Sequence, residues 1–246
     1  MGHNSILVAG DLISDVYVDG PIDVANEGGG PRLNAHGKRL PEVRRGGVGF
    51  VRDALASFAP DFDIHSDCSS KSTITRYRNE KKETIFTLDR FQHEIDFRMH
   101  LHRGYAHDCL VVWDDNRVSD GYDWSWIWEG VKPDALVVVD SENIEKWDLP
   151  AVDYIKLTGP SWDGTWPKNG ARLIATGADN VLVDKDLYRV NKIDNPVDTV
   201  GAGDVFTAVF VTMLLEGATE SEATKEAIRY SRESVNHHGC VIPNRE

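Results

Sequence analysis

The stretch that constrains this chain most is Asp198-Thr199-Val200-Gly201-Ala202-Gly203-Asp204. It follows a proline-marked turn at Asn195-Pro196 and precedes an apolar run from Val205 to Leu215, so the sequence predicts a loop that opens a buried helix. Two glycines around one alanine let the backbone approach a ligand closely. The free N–H groups of the helix N-terminus then point outward, with the positive end of the helix dipole behind them, and such a turn holds an anion. Asp204 is out of place in a turn built only for anions, because its charge repels what the amides attract. It makes sense as a general base. A carboxylate beside an anion hole can take a proton from an attacking hydroxyl while the amides stabilise charge on a transferring phosphoryl group. The plainer alternative is a tight turn followed by an ordinary first-turn acid.

The seven residues resemble the D-T-x-G-A-G-D signature of the ribokinase (PfkB) family of carbohydrate and nucleoside kinases. That resemblance implies that Asp204 is the catalytic base, that the amides of Gly201, Ala202 and Gly203 form the anion hole, and that Thr199 belongs to the nucleotide site. It also implies ATP and Mg²⁺ as cofactors, with room for a monovalent cation. Gly10-Asp11-Leu12-Ile13-Ser14-Asp15-Val16-Tyr17 resembles the G-D-x-x-x-D-x-Y opening of the family's heptose-phosphate kinases, and the resemblance gives Asp15 the task of binding substrate hydroxyls. A carboxylate suits that task because it accepts two hydroxyl protons at once. The alternative is a turn cap.

Other family positions match in part. Gly46-Gly47 precedes a helical pattern through Phe58, where the family reads G-G-x-x-N, but Phe50 stands in place of the sugar-binding Asn. Either Phe50 stacks on a flat acceptor or it packs inward. Thr73-Ile74-Thr75-Arg76 resembles the heptose-kinase segment that closes over substrate, and the guanidinium forks of Arg76 and Arg78 suit a substrate phosphate. Asp114 and Arg117 follow a buried strand at the place of a D-Y-x-K-G element. Thr158 to Asp163 stands where the family reads T-P-N-x-x-E, so Asp163 replaces the metal-organising Glu and the Asn is missing. Thr176-Gly177-Ala178-Asp179-Asn180 resembles a T-x-G-x-x-G nucleotide turn, with Asn180 expected to take the left-handed conformation of the last glycine. Asn236, Gly239 and Cys240 are the counterparts of the adenine rim.

Composition narrows the partners. The chain has 246 residues and a formal net charge of −13, from 27 basic and 40 acidic residues. Its field repels nucleic acid and anionic membranes, so a small molecule is the expected partner: a sugar, a sugar phosphate or a nucleoside. Cys68, Cys109 and Cys240 are scattered and unpaired in spacing, which argues against a disulfide framework or zinc site and for a reducing cytoplasm. His93, His100, His102 and His107 have no zinc spacing and read as surface or helix residues. No leader or membrane span is expected from the apolar runs.

Strand-like runs at Ser5 to Ala9, Cys109 to Trp113, Ala135 to Val139 and Val152 to Leu157 alternate with polar or helical connections, the mark of β-α-β units. The expected fold is one domain over 1–246: a three-layer α/β/α, ribokinase-like, Rossmann-type arrangement with a mainly parallel sheet. A small β lid is expected near 16–45 and 72–91, with Thr73 to Asn79 and Glu83 to Phe91 as a hairpin and 19–45 as an irregular excursion. The segment from Ile64 to Ser72 is read as polar and trimmed relative to the family. Trp124, Trp126 and Trp128 cover either a core edge or a homodimer interface. The apolar spacing of Phe206, Val209, Phe210 and Met213 predicts a deeply buried helix ended by Gly217, and Thr219 with Glu222 a capping box opening the last helix.

These features predict an ATP-dependent kinase of a sugar or sugar phosphate. A nucleoside kinase is the alternative within that chemistry, and a catalytically weakened nucleotide- or sugar-binding partner subunit is the alternative outside it. A dinucleotide oxidoreductase is excluded because no G-x-G-x-x-G follows the first strand.

Overall fold

The computed structural model describes residues 5–20, 22–27, 30–35, 41–78, 84–92, 106–114, 124–237 and 241–245. Two strands organise it: β1 (Ser5–Asp19) and β5 (Asp63–Arg78), with 15 and 16 residues. They lie parallel and stay paired from Ser5↔Asp63 to Asp19↔Arg78, with a shift in register between Gly10 and Asp11. Strands this long are about three times the usual length. Their first halves build the domain sheet and their second halves carry the lid. The strand thus continues through Gly10, where the sequence suggests an end. The polar stretch after Ile64 is likewise part of a strand, because β1 supplies the ladder that its own side chains do not call for.

On one side, β1 pairs in parallel with β7 (His107–Asp114), which continues through β8 (Val131–Ser141), β9 (Tyr154–Thr158) and β10 (Arg172–Thr176), all parallel. The short antiparallel strands β11 (Asn180–Val183) and β12 (Asp186–Arg189) finish that edge. On the lid side, β4 (Glu42–Gly47) pairs antiparallel with the second half of β1, and β6 (Thr84–Gln92) pairs antiparallel with β5, forming the expected hairpin. The glycine-rich excursion also contains a backbone hairpin, β2 (Ile22–Glu27) with β3 (Gly30–Ala35), turning at Glu27↔Gly30.

One face of the sheet is covered by helices α1 (Val48–Phe58), α3 (Ala202–Leu215) and α4 (Glu220–Ser234), around Ile6, Val8, Val111, Val205 and Phe210. Burial of α3 is continuous from Val205 to Thr212, which is why it reads apolar on all sides. Thr219 and Glu222 form the capping box of α4, and Gly217 takes the left-handed φ of +87° that ends the preceding helix.

Among the described residues, the opposite face has only one short helix, α2 (Ile144–Trp147), and a 3₁₀ segment, Ser125–Gly130. Aromatic side chains do the covering there. Trp124 and Trp147 are buried and meet edge to face at 5.5 Å, with Ile127 fully enclosed beside them. Trp124 therefore covers a core edge. The α/β class and the mostly parallel sheet agree with the sequence reading, whereas among the described residues this second layer is mainly side chain and loop. Among the described residues, no helix is long and apolar enough to cross a membrane.

Candidate active site

The C-terminal ends of β1's first half, β7, β8, β9 and β10 lie along one edge of the sheet, where open parallel sheets place ligand sites. The N-terminus of α3 meets that edge. Gly201 takes φ +81° at the N-cap, a conformation natural to glycine, and its carbonyl accepts from the Val205 amide at 3.0 Å. Ahead of it, Asp198 Oδ1 accepts from the Val200 amide at 3.0 Å. The Val197 and Asp198 amides donate to the Val235 carbonyl at 2.8 and 3.2 Å, which ties the motif loop to the end of α4. Asn236, expected on the nucleotide rim, is exposed directly beside that tie. Thr199 accepts from the Ala202 amide in the same turn.

Asp204 sits in the first turn of α3, partly exposed but crowded on all sides. Trp113 Nε1 donates to its Oδ1 at 3.0 Å. Its pKa is pushed up to about 7, first by burial and then by the charge of Asp140; Lys156 and the Trp113 hydrogen bond pull it down, and Asp15 adds a smaller push upward. A carboxyl poised near neutrality suits a base that takes and returns a proton.

Lys156 and Asp140 form the floor of this site. Lys156, only 3% exposed, donates to Asp140 Oδ2 at 2.5 Å, and Thr207 of α3 donates to the same oxygen at 3.1 Å. A Cβ on Gly203 would stand 3.2 Å from Lys156 Nζ, so a cation lies directly behind the glycine-alanine-glycine turn. The buried charge is paired, as burial requires. The sequence reading missed Lys156, Thr207 and Trp113. The signal for Lys156 was present: a lysine inside the apolar run Tyr154-Ile155-Lys156-Leu157 has to find a counter-charge.

On the lid side, Asp15 is 3% exposed and accepts from Arg76 Nε at 3.0 Å. Gly46 lies against it: a Cβ there would meet Asp15 Oδ2 at 2.4 Å. Gly47, at φ +56°, has no room for a Cβ either, since one would stand 2.3 Å from the Asp11 carbonyl oxygen and 3.1 Å from the Trp113 ring. Asp15, Arg76, Gly46 and Gly47 are thereby linked through Trp113 to Asp204. Arg78 does not join them. It is buried over the Tyr17 ring at 4.2 Å and grips Asp19 through two nitrogens.

Other expected site residues stand apart. Asp114 follows Trp113 in an extended strand, so it faces the opposite side of the sheet. There it accepts from Trp147 Nε1 at 2.6 Å and Ser141 Oγ at 3.0 Å, and pairs with Lys146 at 3.0 Å. Phe50 is 4% exposed within the core under α1, which settles it as packing rather than stacking. Asp163 is exposed and accepts from the Thr165 amide at 2.8 Å within its own loop; hydrogen bonding to the Thr165 side chain first, and then to that amide, holds its pKa below the usual carboxylate range. Asn180 has no positive φ; it opens β11 opposite Arg189, and the Thr176–Asn180 turn is closed instead by the Gly177 amide donating to the Asn180 carbonyl at 3.0 Å. Strand pairing removes the need for a left-handed residue there. Gly239, Cys240, Arg117, His93, His100 and His102 lie outside the described residues, as do the side chains of Cys68 and Trp126. Among the described residues, no group of three or more His, Cys, Asp or Glu side chains converges as a metal cage.

Comparison with known proteins fits this geometry. Residues 168–246 match the model of the pfkB family carbohydrate kinases, a span that holds the whole Asp198–Asp204 turn and both helices behind it. The likeness to that family's model spans this third of the chain. No curated protein matches the chain closely enough to serve as a relative. Among solved structures, the ribokinase of Thermotoga maritima superposes with a TM-score of 0.70 at 14% identity, over 96% of this chain and 94% of that one. Arabidopsis thaliana ribokinase, solved with ribose and ATP, gives 0.65 at 14% identity, over 99% and 96%. The nucleoside kinase of Burkholderia thailandensis, solved with inosine, gives 0.68 at 11% identity, over 98% and 93%. At such identities the likeness establishes a ribokinase-like fold. The PfkB match supports a phosphotransferase acting on hydroxyl groups.

Proposed function

We propose that the protein is an ATP-dependent kinase that transfers the γ-phosphate to a hydroxyl of a sugar or sugar phosphate. The observation that carries this reading is Asp204, with its pKa near 7, in the first turn of a helix whose N-terminal amides form an anion hole. In the reaction, Asp15 orients acceptor hydroxyls and Asp204 takes the proton of the attacking one. The amides of Gly201 and Gly203, with the Lys156 charge behind them and the Ala202 amide tied to the Thr199 carbonyl, stabilise the phosphoryl group as it passes in line from ADP to the acceptor oxygen. Thr199, Thr176, Gly177 and Asn236 lie along the nucleotide side. Arg76 binds Asp15 through Nε, and its terminal N–H groups are the part of the fork that can reach a phosphate on the acceptor. That fork is what supports a phosphorylated acceptor, of the heptose-phosphate kind, over a plain sugar.

Mg²⁺, when bound, neutralises phosphate oxygens during transfer. An ion of this kind is held mostly by substrate phosphates, water and one or two carboxylates. Asp163 is the carboxylate that the family resemblance offers.

The test is ADP release from MgATP against sugars, sugar phosphates and nucleosides, with wild type beside Asp204→Asn. Turnover that depends on a sugar-type acceptor and is lost in the variant supports the proposal. Turnover with nucleosides alone moves the assignment to a nucleoside kinase. Ligand-induced thermal stabilisation without turnover moves it to a binding-only relative.

A further inference from the structure

Trp113 ends the Cys109-to-Trp113 run one residue before Asp114, and its indole touches both halves of the site. At one end, Nε1–H donates to Asp204 Oδ1 at 3.0 Å. At the other, Cζ3 and Cε3 lie 3.1 and 3.2 Å from where a Cβ on Gly47 would stand, and the neighbouring Gly46 faces Asp15. The ring therefore occupies the interval between the carboxylate that binds hydroxyls and the one that takes the proton. Its backbone is fixed too. A Cβ on Gly10 would stand 1.9 Å from the Trp113 carbonyl oxygen, so only glycine lets β1 and β7 come together here.

We propose that Trp113 sets acceptor and base against each other: its N–H holds Asp204 by Oδ1 and leaves Oδ2 for the acceptor hydroxyl, while its ring walls the acceptor pocket and favours a cyclic acceptor with an apolar C–H face. The second part rests on the kinase reading above; the first does not. A carboxylate with one oxygen pinned presents the other in a fixed direction, and near-attack geometry is what such pinning secures. An indole face carries partial negative charge, which attracts the C–H side of a sugar ring that turns its hydroxyls toward Asp15.

Two substitutions separate the two roles. Trp113→Phe keeps a ring and removes the donor. It is expected to lower kcat by about tenfold to 10²-fold with little change in acceptor KM, and to move the acidic limb of the pH–rate profile upward, because a hydrogen bond to the ionised carboxylate is lost. Asp140, Lys156 and Asp15, with Arg76 on Asp15, also face Asp204 and are unchanged in this variant. Trp113→Ala removes the wall as well, and is expected to raise KM several-fold further for a cyclic acceptor than for an acyclic polyol. Unchanged kcat and pH limb in Trp113→Phe, or equal KM effects on cyclic and acyclic acceptors, would overturn the corresponding half.

A ligand-free measurement keeps the proposal open to refutation if no acceptor is found. The indole N–H resonance missing in Trp113→Phe should titrate in the wild type with a midpoint near that of Asp204, about 7, and stop titrating in Asp204→Asn. A resonance indifferent to pH and to Asp204→Asn refutes the Trp113–Asp204 link itself. No turnover in the wild type with an intact titration would leave that link standing and count against the kinase reading.

Discussion

Asp114 and Asp204 both stand at the C-terminal edge of the parallel sheet, on opposite faces, and their surroundings differ in kind. Asp114 is 4% exposed and is met by donors that include Trp147, Ser141 and Lys146. Asp204 has one side-chain donor among the described residues, Trp113, and faces two further carboxylates with Lys156 as its counterweight. A carboxylate surrounded by donors is a pin that holds β7, β8 and α2 together. One that is desolvated, crowded by like charge and short of donors is raised toward neutral pH, where proton transfer is easiest. Asp114 is enclosed while Asp204 keeps some contact with solvent; the surrounding donors and charges separate structure from chemistry.

The sharpest way to break this comparison is to make the same change on both faces. Asp204→Asn keeps size and an acceptor for Trp113 but cannot take a proton, and should lower kcat by roughly 10²–10⁴. Asp114→Asn should leave kcat within a few-fold of wild type. In the wild type, activity should rise with pH through about 7, because the base works only when ionised. Comparable kcat losses in the two variants would remove the distinction.

The next effect in size concerns the floor of the site. Lys156→Met removes the cation behind Gly203 and leaves the half-buried Asp140 without its counter-charge, with Thr207 as its remaining donor among the described residues. We expect kcat to fall by about tenfold to 10²-fold through lost stabilisation of the phosphoryl group, and the acidic limb to move to higher pH, since Lys156 holds the Asp204 pKa down. The double variant Lys156→Met with Asp140→Asn removes both charges and should recover most of the stability while staying slow. Recovery of rate along with stability would show that Lys156 acts only on the fold.

What the sequence reveals and conceals follows the same division. The Asp198–Asp204 turn is legible because its chemistry is local: a left-handed Gly201, a helix N-terminus and an acid in its first turn are all encoded within seven residues. The Thr219–Glu222 box is legible for the same reason. Lys156, Asp140 and Thr207 come from three separate segments, so their meeting is a property of strand order. Asp114 was misplaced because a strand that is apolar on both sides gives no alternation to show which face its last residue takes. Trp113 took that place. The long β5 was hidden because its ladder is supplied by β1, and a polar run such as Ser66 to Ser72 has no strand pattern of its own.

A smaller effect, on stability alone, sharpens the structural half. Asp114→Ala should lower the free energy of unfolding by about 2 kcal/mol, with Trp147 and Ser141 losing a charged acceptor and Lys146 able to turn to solvent. Urea unfolding followed by tryptophan fluorescence measures it. The pH–rate profile should not move, which distinguishes a pin from a member of the site.

The smallest effect has the opposite sign. Asp204 titrates near 7 in the folded protein, well above the 3.8 of an ordinary Asp side chain. The folded state therefore holds its proton to higher pH than the unfolded state, and the charge becomes a cost as pH rises from about 4 through about 7. Asp204→Asn removes that cost. At pH 8 it should be more stable than wild type by about 1 kcal/mol, less than a fully buried charge would give because solvent reaches this side chain. At pH 4 the difference should vanish, since the wild-type carboxyl is then neutral in the fold. Paired urea titrations at the two pH values decide it: a gain at pH 8 only means that the chain spends stability on a base at this position. A loss at pH 8 instead would mean that Lys156 and the Trp113 hydrogen bond to the ionised carboxylate outweigh burial and the repulsion from Asp140 and Asp15, and would place Asp204 with Asp114 among the pins.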